Sequence, residues 1–174
     1  MSGHSHWAQI KHKKGSVDEK KGKLFSKLLN AVAVAARDNP NPDFNPRLRT
    51  MIEKARTANV PQENIERAIK KSSETKNLEE ILIEAYGPEK VACIIHGITD
   101  NKNRTLAEIR ALLTEGGAKI ADPGSVLWSF TKTDEGWKPT FSQPISEGGK
   151  TKIQSLISLL EEHPDVDWIV TNAQ

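Results

Sequence analysis

Cysteine is nearly absent from this chain of 174 residues. Cys93 stands alone, which excludes a disulfide framework and any multi-cysteine zinc site. Long apolar runs are missing as well. The longest, Ala31–Ala36, falls far short of the roughly 18 residues that a membrane-spanning helix needs. Aromatic residues make up only 5% and hydrophobic ones 36%, so the chain builds one modest domain or two small ones. No apolar segment follows the basic residues near the N-terminus, and no arginine precedes Arg37. Neither a secretory signal nor a mitochondrial transit peptide is therefore expected, and the reading is a soluble cytoplasmic protein.

Catalytic signatures are lacking too: there is no Walker loop, GxGxxG, HExxH or GxSxG. Cys93 lies in the apolar run Val91–Ile95, where a free cysteine behaves as a small hydrophobe. His96 follows three residues later on the same expected strand, so it faces the other way and makes a poor base for Cys93. The chain is read as a non-enzyme that calls for no cofactor.

What is present is a division of charge. Residues 1–76 carry 16 Lys+Arg against 8 Asp+Glu, whereas residues 77–174 carry 9 against 15, so a total of +2 conceals +8 followed by −6. Such asymmetry points to a basic region that meets a polyanion and an acidic body that does not. Uneven solvated helical faces would give the same count.

Residues 1–17 contain three histidines, three lysines and Trp7 but no acid. With so little to bury, this segment is expected to be a flexible basic tail when free. Residues 18–76 read as a bundle of three short helices. Leu24, Phe25, Leu28, Leu29, Val32 and Ala36 recur at spacings of three and four, making an apolar stripe that ends at Pro40 and Pro42. A second helix begins at Asn45-Pro46, as cap and first helical residue. A third begins at Pro61 and fades at Lys71–Ser73, before a polar linker. Residues 77–174 then change period. Strands are expected around 78–86 and 91–95, a helix with a capping box at Thr105–Glu108 that stops at Gly116-Gly117, a strand at 125–131, and a hairpin partner at 137–145. A helix over 147–162 and a strand over 166–171 follow. The fold class is α+β: an N-terminal three-helix bundle followed by an antiparallel-rich α/β sandwich domain.

The tail sets Trp7 among Lys11, His12, Lys13 and Lys14 and leads into Lys20, Lys21, Lys23 and Lys27. Cations release counterions from phosphates, while an indole stacks on an unpaired base. Arg47, Arg49, Lys54 and Arg56 extend the basic character onto the second helix, which favours binding over a merely solubilising arm. If Met1 is removed, Ser2-Gly3-His4 becomes a terminus of the kind that holds Cu(II) or Ni(II), but no metal site is assigned. In the second half, Asp100, Asn101, Asn103, Arg104 and Thr105 gather at a helix start. Asp100 and Thr105 read as capping and turn residues, and Asn101, Asn103 and Arg104 as a loop contact.

Seven segments carry a family resemblance: GHSHWAQIKHKK (3–14), KLFSKL (23–28), NPRLR (45–49), NVPQENIERAIK (59–70), YGPEKVA (86–92), TDNKNRTLAEIR (99–110) and GSVLWSF (124–130). In order and spacing they resemble the YebC/PmpR family of transcriptional regulators, whose mitochondrial members are translational activators of cytochrome c oxidase. The resemblance implies a helical N-terminal domain followed by two α/β domains and no catalysis. It also implies action either on DNA or on the ribosome, where members ease translation through stretches such as consecutive prolines. Two departures stand out. His6 replaces a customary lysine, making one charge pH-dependent. Family members also insert a further α/β domain after the position of Phe130, whereas here a short hairpin leads directly to the last helix and to DWIVTNA (167–173). The inserted domain is therefore expected to be absent after about residue 131.

The sequence thus points to a factor that binds rRNA on the ribosome through its tail and helical domain, with no membrane partner. The alternative is a regulator that binds double-stranded DNA, and a third reading is a protein-interaction adaptor with a solubilising tail.

Overall fold

A computed structural model describes residues 4–73, 77–133 and 136–174, with side chains described from residue 19 onward. The chain forms two compact units, residues 1–76 and 77–174. Among the described residues, no helix is long and apolar enough to cross a membrane.

The first unit holds α1 (His4–Ala36), α2 (Pro46–Thr57) and α3 (Gln62–Lys70). Val32, Ala35 and Ala36 of α1 pack on Leu48, Ile52 and Ala55 of α2 and on Ile65 of α3, closing one small core. Buried Asn45 ties the elements together. Its Oδ1 accepts the Leu48 N–H at 2.9 Å as the α2 cap, and its Nδ2 donates to the carbonyls of Ala35 and Asn39, both at 2.7 Å. One residue therefore ends α1 and starts α2.

The helix of α1 differs from the sequence reading, which sets residues 1–17 aside as a flexible tail. Helical backbone extends back to His4. The physical reason is that Ala8, Gln9, Lys11, Lys13 and Lys14 are good helix formers, and prolonging an existing helix avoids the cost of nucleation. The terminal amine arrangement around His4 depends on residues 1–3, which lie outside the described residues.

The second unit runs β1 (Glu79–Tyr86), β2 (Ala92–Thr99), α4 (Lys102–Glu115), β3 (Lys119–Ile120), β4 (Phe130–Thr133), β5 (Gly136–Pro139), α5 (Glu147–Glu161) and β6 (Val166–Thr171). The main sheet has the order β3-β1-β2-β6 and is antiparallel throughout. Strand alternation sends Ile81, Ile83, Ala85, Cys93 and Ile95 to one face, where Ile109 and Leu113 of α4 and Ile153, Leu156 and Leu160 of α5 cover them. On the other face Ala92 and Ile94 meet Val126 and Phe130. The fold is therefore α+β, a helical bundle followed by an antiparallel-rich sandwich. At the irregularity between His96 and Gly97, the Ile98 N–H donates to Asp165 O at 2.8 Å. A Cβ on Gly97 would stand 2.7 Å from that same oxygen, so only glycine allows the chains to approach so closely.

Two local expectations change. The strand expected over 125–131 is a turn and a short 3-10 segment, with pairing confined to β4 and β5. The cause is Glu84 of β1. Its buried carboxylate accepts the N–H groups of Gly124 (2.5 Å), Val126 (2.6 Å) and Leu127 (2.9 Å), bending that backbone out of a ladder. The capping box at Thr105 is also displaced: α4 starts four residues earlier, capped by Asn101, whose Oδ1 accepts the Arg104 N–H at 3.1 Å. Asp134 and Glu135, which fall between the two strands of the expected hairpin, lie outside the described residues.

Candidate nucleic-acid interface

The expected contacts Trp7, Lys11, His12, Lys13 and Lys14 fall on α1 before residue 19, and their side chains lie outside the described residues. Beyond them, Lys20, Lys21 and Lys23 are exposed and Lys27 is half-buried. Lys20 and Lys27 are seven apart, so they share a helical face, and Lys23 lies beside them, 3.3 Å from Glu19. Lys21 departs from this row: it follows the apolar stripe, with its ammonium 5.4 Å from the Phe25 ring centroid. The outward row is therefore Lys20, Lys23 and Lys27.

On α2 all four expected cations are exposed, yet they do not form one patch. Arg47 and Lys54 share one flank, and Arg49 and Arg56 share the other, with the buried stripe Leu48–Ile52–Ala55 between them. The Nε of Arg56 also donates to Gln62 Oε1 at 3.3 Å. A flat partner meets one flank at a time. Phe44 escaped the sequence reading: it is 76% exposed in the link just before α2. The available signal was an aromatic residue outside any periodic stripe, among prolines and asparagines.

A four-residue turn, residues 58–61, joins α2 to α3, with Asn59 at φ 62°. That connection has the length of a helix-turn-helix link, which the sequence reading did not find. The helix after it is poorly suited to a DNA groove. Glu63 and Glu66 are exposed on α3 beside Arg67 and Lys70, and Gln62 Nε2 donates to Glu66 Oε1 at 3.1 Å, so the helix offers a polyanion no net positive charge and meets it with carboxylates in its first half.

The loop contact expected in the second unit is largely absorbed by the fold. Asn101 is the α4 cap, and Asn103 is exposed. The Arg104 guanidinium lies 2.8 Å from Asp165, 3.0 Å from Asp100 and 3.8 Å from Glu108. Asp165 and Asp100 hold its pKa above the ordinary value, the hydrogen bond to Asp165 contributing most. Burial pushes the Asp165 carboxyl up, but hydrogen bonds from Thr105, Arg104 and Thr99 outweigh it and leave the pKa lowered.

Glu108, His163 and Asp165 bring ligand-type atoms within 4.8 Å of one another. His163 Nδ1 accepts the Asp165 N–H at 3.1 Å, which leaves the proton on Nε2, facing Glu108 at 2.9 Å. With one ring nitrogen accepting and the other donating, no lone pair is left for a cation, and Arg104 already supplies the positive charge. Cys93 is equally committed to structure. Burial pushes its thiol up to about 12, and it points to the helix-covered face, while His96 stacks on Trp168 at 4.9 Å among the opposite side chains.

Comparison with known proteins decides the kinship. Residues 5–75 match the profile of the TACO1/YebC protein N-terminal domain, and residues 78–135 match that of the TACO1/YebC second and third domain. The chain belongs to the TACO1/YebC family. It is 49% identical over 151 residues to a probable transcriptional regulatory protein of Aquifex aeolicus, covering 84% of this chain and 60% of that relative. A protein of the same description from Fervidobacterium nodosum is 50% identical over 136 residues, covering 76% and 54% respectively. The chain thus spans little more than half the length of these curated relatives. Among solved structures, a conserved hypothetical protein of Aquifex aeolicus superimposes with a TM-score of 0.82 at 35% identity, over 98% of this chain and 97% of that one. The two curated relatives are named as probable transcriptional regulatory proteins.

Proposed function

We propose that this TACO1/YebC member is a nucleic-acid-binding factor of the cytoplasm that works on the ribosome. Its basic helical unit grips single-stranded or irregular rRNA and assists translation of difficult stretches such as consecutive prolines. The observation that carries this reading is the outward row Lys20–Lys23–Lys27, continuous along α1 with the segment bearing Trp7, Lys11, His12, Lys13 and Lys14. Cations and an indole on one basic segment suit a flexible backbone with unstacked bases. Phe44 beside the Arg47 end of α2 offers a second ring. Asn101, Asn103 and Arg104 are secondary in this account, because Arg104 is already held by carboxylates. The activity proposed here belongs to the two units present.

A second reading, a regulator of transcription bound to duplex DNA, is favoured by the names of the relatives and by the short link between α2 and α3. The exposed Glu63 and Glu66 weigh against it. The test is a salt titration of affinity for a single-stranded RNA and for a mixed-sequence DNA duplex of equal length. Tighter binding to the single strand across 50–200 mM salt is expected, whereas tighter binding to the duplex throughout would transfer the function to DNA.

A further inference from the structure

The turn between β1 and β2 carries side chains where turn geometry disfavours them. Glu89 and Lys90 occupy its central positions at φ 55° and 64°, and the Val91 N–H closes the turn on Pro88 O at 3.2 Å. Positive φ at both central positions selects Asn-Gly or similar pairs, because a Cβ crowds the backbone there. Neither residue here is of that kind. Glu89 has a partner that accounts for its presence: its carboxylate accepts the Ser146 N–H at 2.9 Å and the Ser146 hydroxyl at 2.5 Å, at the start of α5. Lys90 has no such partner. It lines an open cleft of about 540 Å³ together with Tyr86, Gly87, Gly117, Ala118 and Lys119.

The chemistry of this cleft is opposite to that of its surroundings. The second unit carries 15 acidic residues against 9 basic ones, yet no carboxylate lines the cleft. Lys90 and Lys119 are exposed, and neither forms an ion pair with a described residue. Tyr86 is half-buried and fixed in place, its hydroxyl donating to Ser125 O at 3.0 Å. Gly117, at φ 71° with open space where a Cβ would stand, keeps one rim clear. Two unpaired cations, a fixed aromatic ring and an unobstructed backbone rim are what a phosphorylated ligand requires.

We propose that this cleft binds a phosphoryl group carried on a unit of nucleotide size, with Lys90 and Lys119 on the phosphate and Tyr86 against the sugar or base. The source is either a free mononucleotide or a phosphate within a polynucleotide chain, and the recognition chemistry is the same. The site uses residues of the second unit alone, so it stands or falls independently of the function proposed above.

Amide NMR spectra of the full chain test it, titrated with AMP and, separately, with a single-stranded pentanucleotide. Shifts at Gly87, Gly117, Ala118 and Lys119 report this cleft alone. Saturating shifts with at least one of the two ligands are expected, weakened tenfold or more by Lys119→Ala and by Lys90→Gly. Saturation by AMP assigns a free nucleotide; saturation by the pentanucleotide alone assigns a chain phosphate. Lys90→Gly also relieves the positive φ, so its Tm should equal or exceed that of the parent, which separates lost binding from lost folding. Absent shifts with both ligands, or shifts that persist in both variants, would overturn the proposal. A Tm lowered by Lys90→Gly would show that the side chain supports the turn, and would remove Lys90 as a ligand.

Discussion

Arg104 and Asp165 meet at 2.8 Å, joining the first turn of α4 to the turn that precedes β6. The same carboxylate accepts the Thr105 hydroxyl at 2.6 Å, and the Asp165 backbone carbonyl supports Ile98 in β2. A loop that looks in sequence like an exposed polar contact is thus a junction of three elements.

Removing the two partners should therefore have unequal effects. Asp165→Ala removes a charged acceptor from the buried Thr105 hydroxyl and one of three carboxylates from around Arg104, and should cost about 1.5–3 kcal/mol in urea unfolding. Arg104→Ala removes a side chain that remains 44% exposed, and should lower the urea midpoint less than Asp165→Ala does. Polynucleotide affinity should be unchanged by Arg104→Ala. A large loss of affinity there would return Arg104 to the binding surface.

The pH dependence follows from the lowered pKa of Asp165. A carboxyl that holds its proton less tightly when folded stabilises the fold above its unfolded pKa, about 3.9. That contribution is lost as pH falls through the folded value. Thermal melts from pH 6 to pH 2.5 should show an acid limb that is flatter in Asp165→Asn. An equally steep limb in the variant would assign it to other carboxylates.

Glu84 should prove more critical than its position in a strand suggests. Glu84→Ala leaves three backbone N–H groups without their acceptor, a loss of about 3 kcal/mol or more. Denaturant midpoints would show it, and a change under about 1 kcal/mol would mean that the 124–127 turn holds itself.

These contrasts mark what could be read in the sequence. Asn45-Pro46 announced the start of α2, because capping is local chemistry, and the apolar periods located α5 and the two central strands. Glu84 could not be foreseen: the N–H groups that donate to it lie about forty residues away, and a charged residue within a strand pattern normally signals solvent. Lys20, Lys23 and Lys27 were legible as one row from their spacing, as was the separation of Arg47 and Lys54 from Arg49 and Arg56, since helical phase determines both. The positive φ of Lys90 depends on tertiary closure, and no local signal encodes it.

On the helical unit, Lys20→Ala with Lys27→Ala should lower the dependence of log affinity on log salt by between about one and two units for a polynucleotide. An unaltered slope would place the partner elsewhere.

Trp7→Ala should weaken single-stranded RNA binding by about 1–3 kcal/mol through lost stacking and leave duplex binding nearly intact. Equal losses on both would identify the tryptophan as a structural residue.

The central claim, that the basic helical unit holds this TACO1/YebC chain on the ribosome, is tested most directly by co-sedimentation at physiological salt. Ribosomes and the purified chain are challenged with excess mixed-sequence duplex DNA, alongside a variant with Lys11, Lys13 and Lys14 changed to Ala. The account predicts that the parent chain stays with the large subunit and the variant is released. Complete removal of the parent chain by duplex DNA would contradict it and assign the basic surface to promoters.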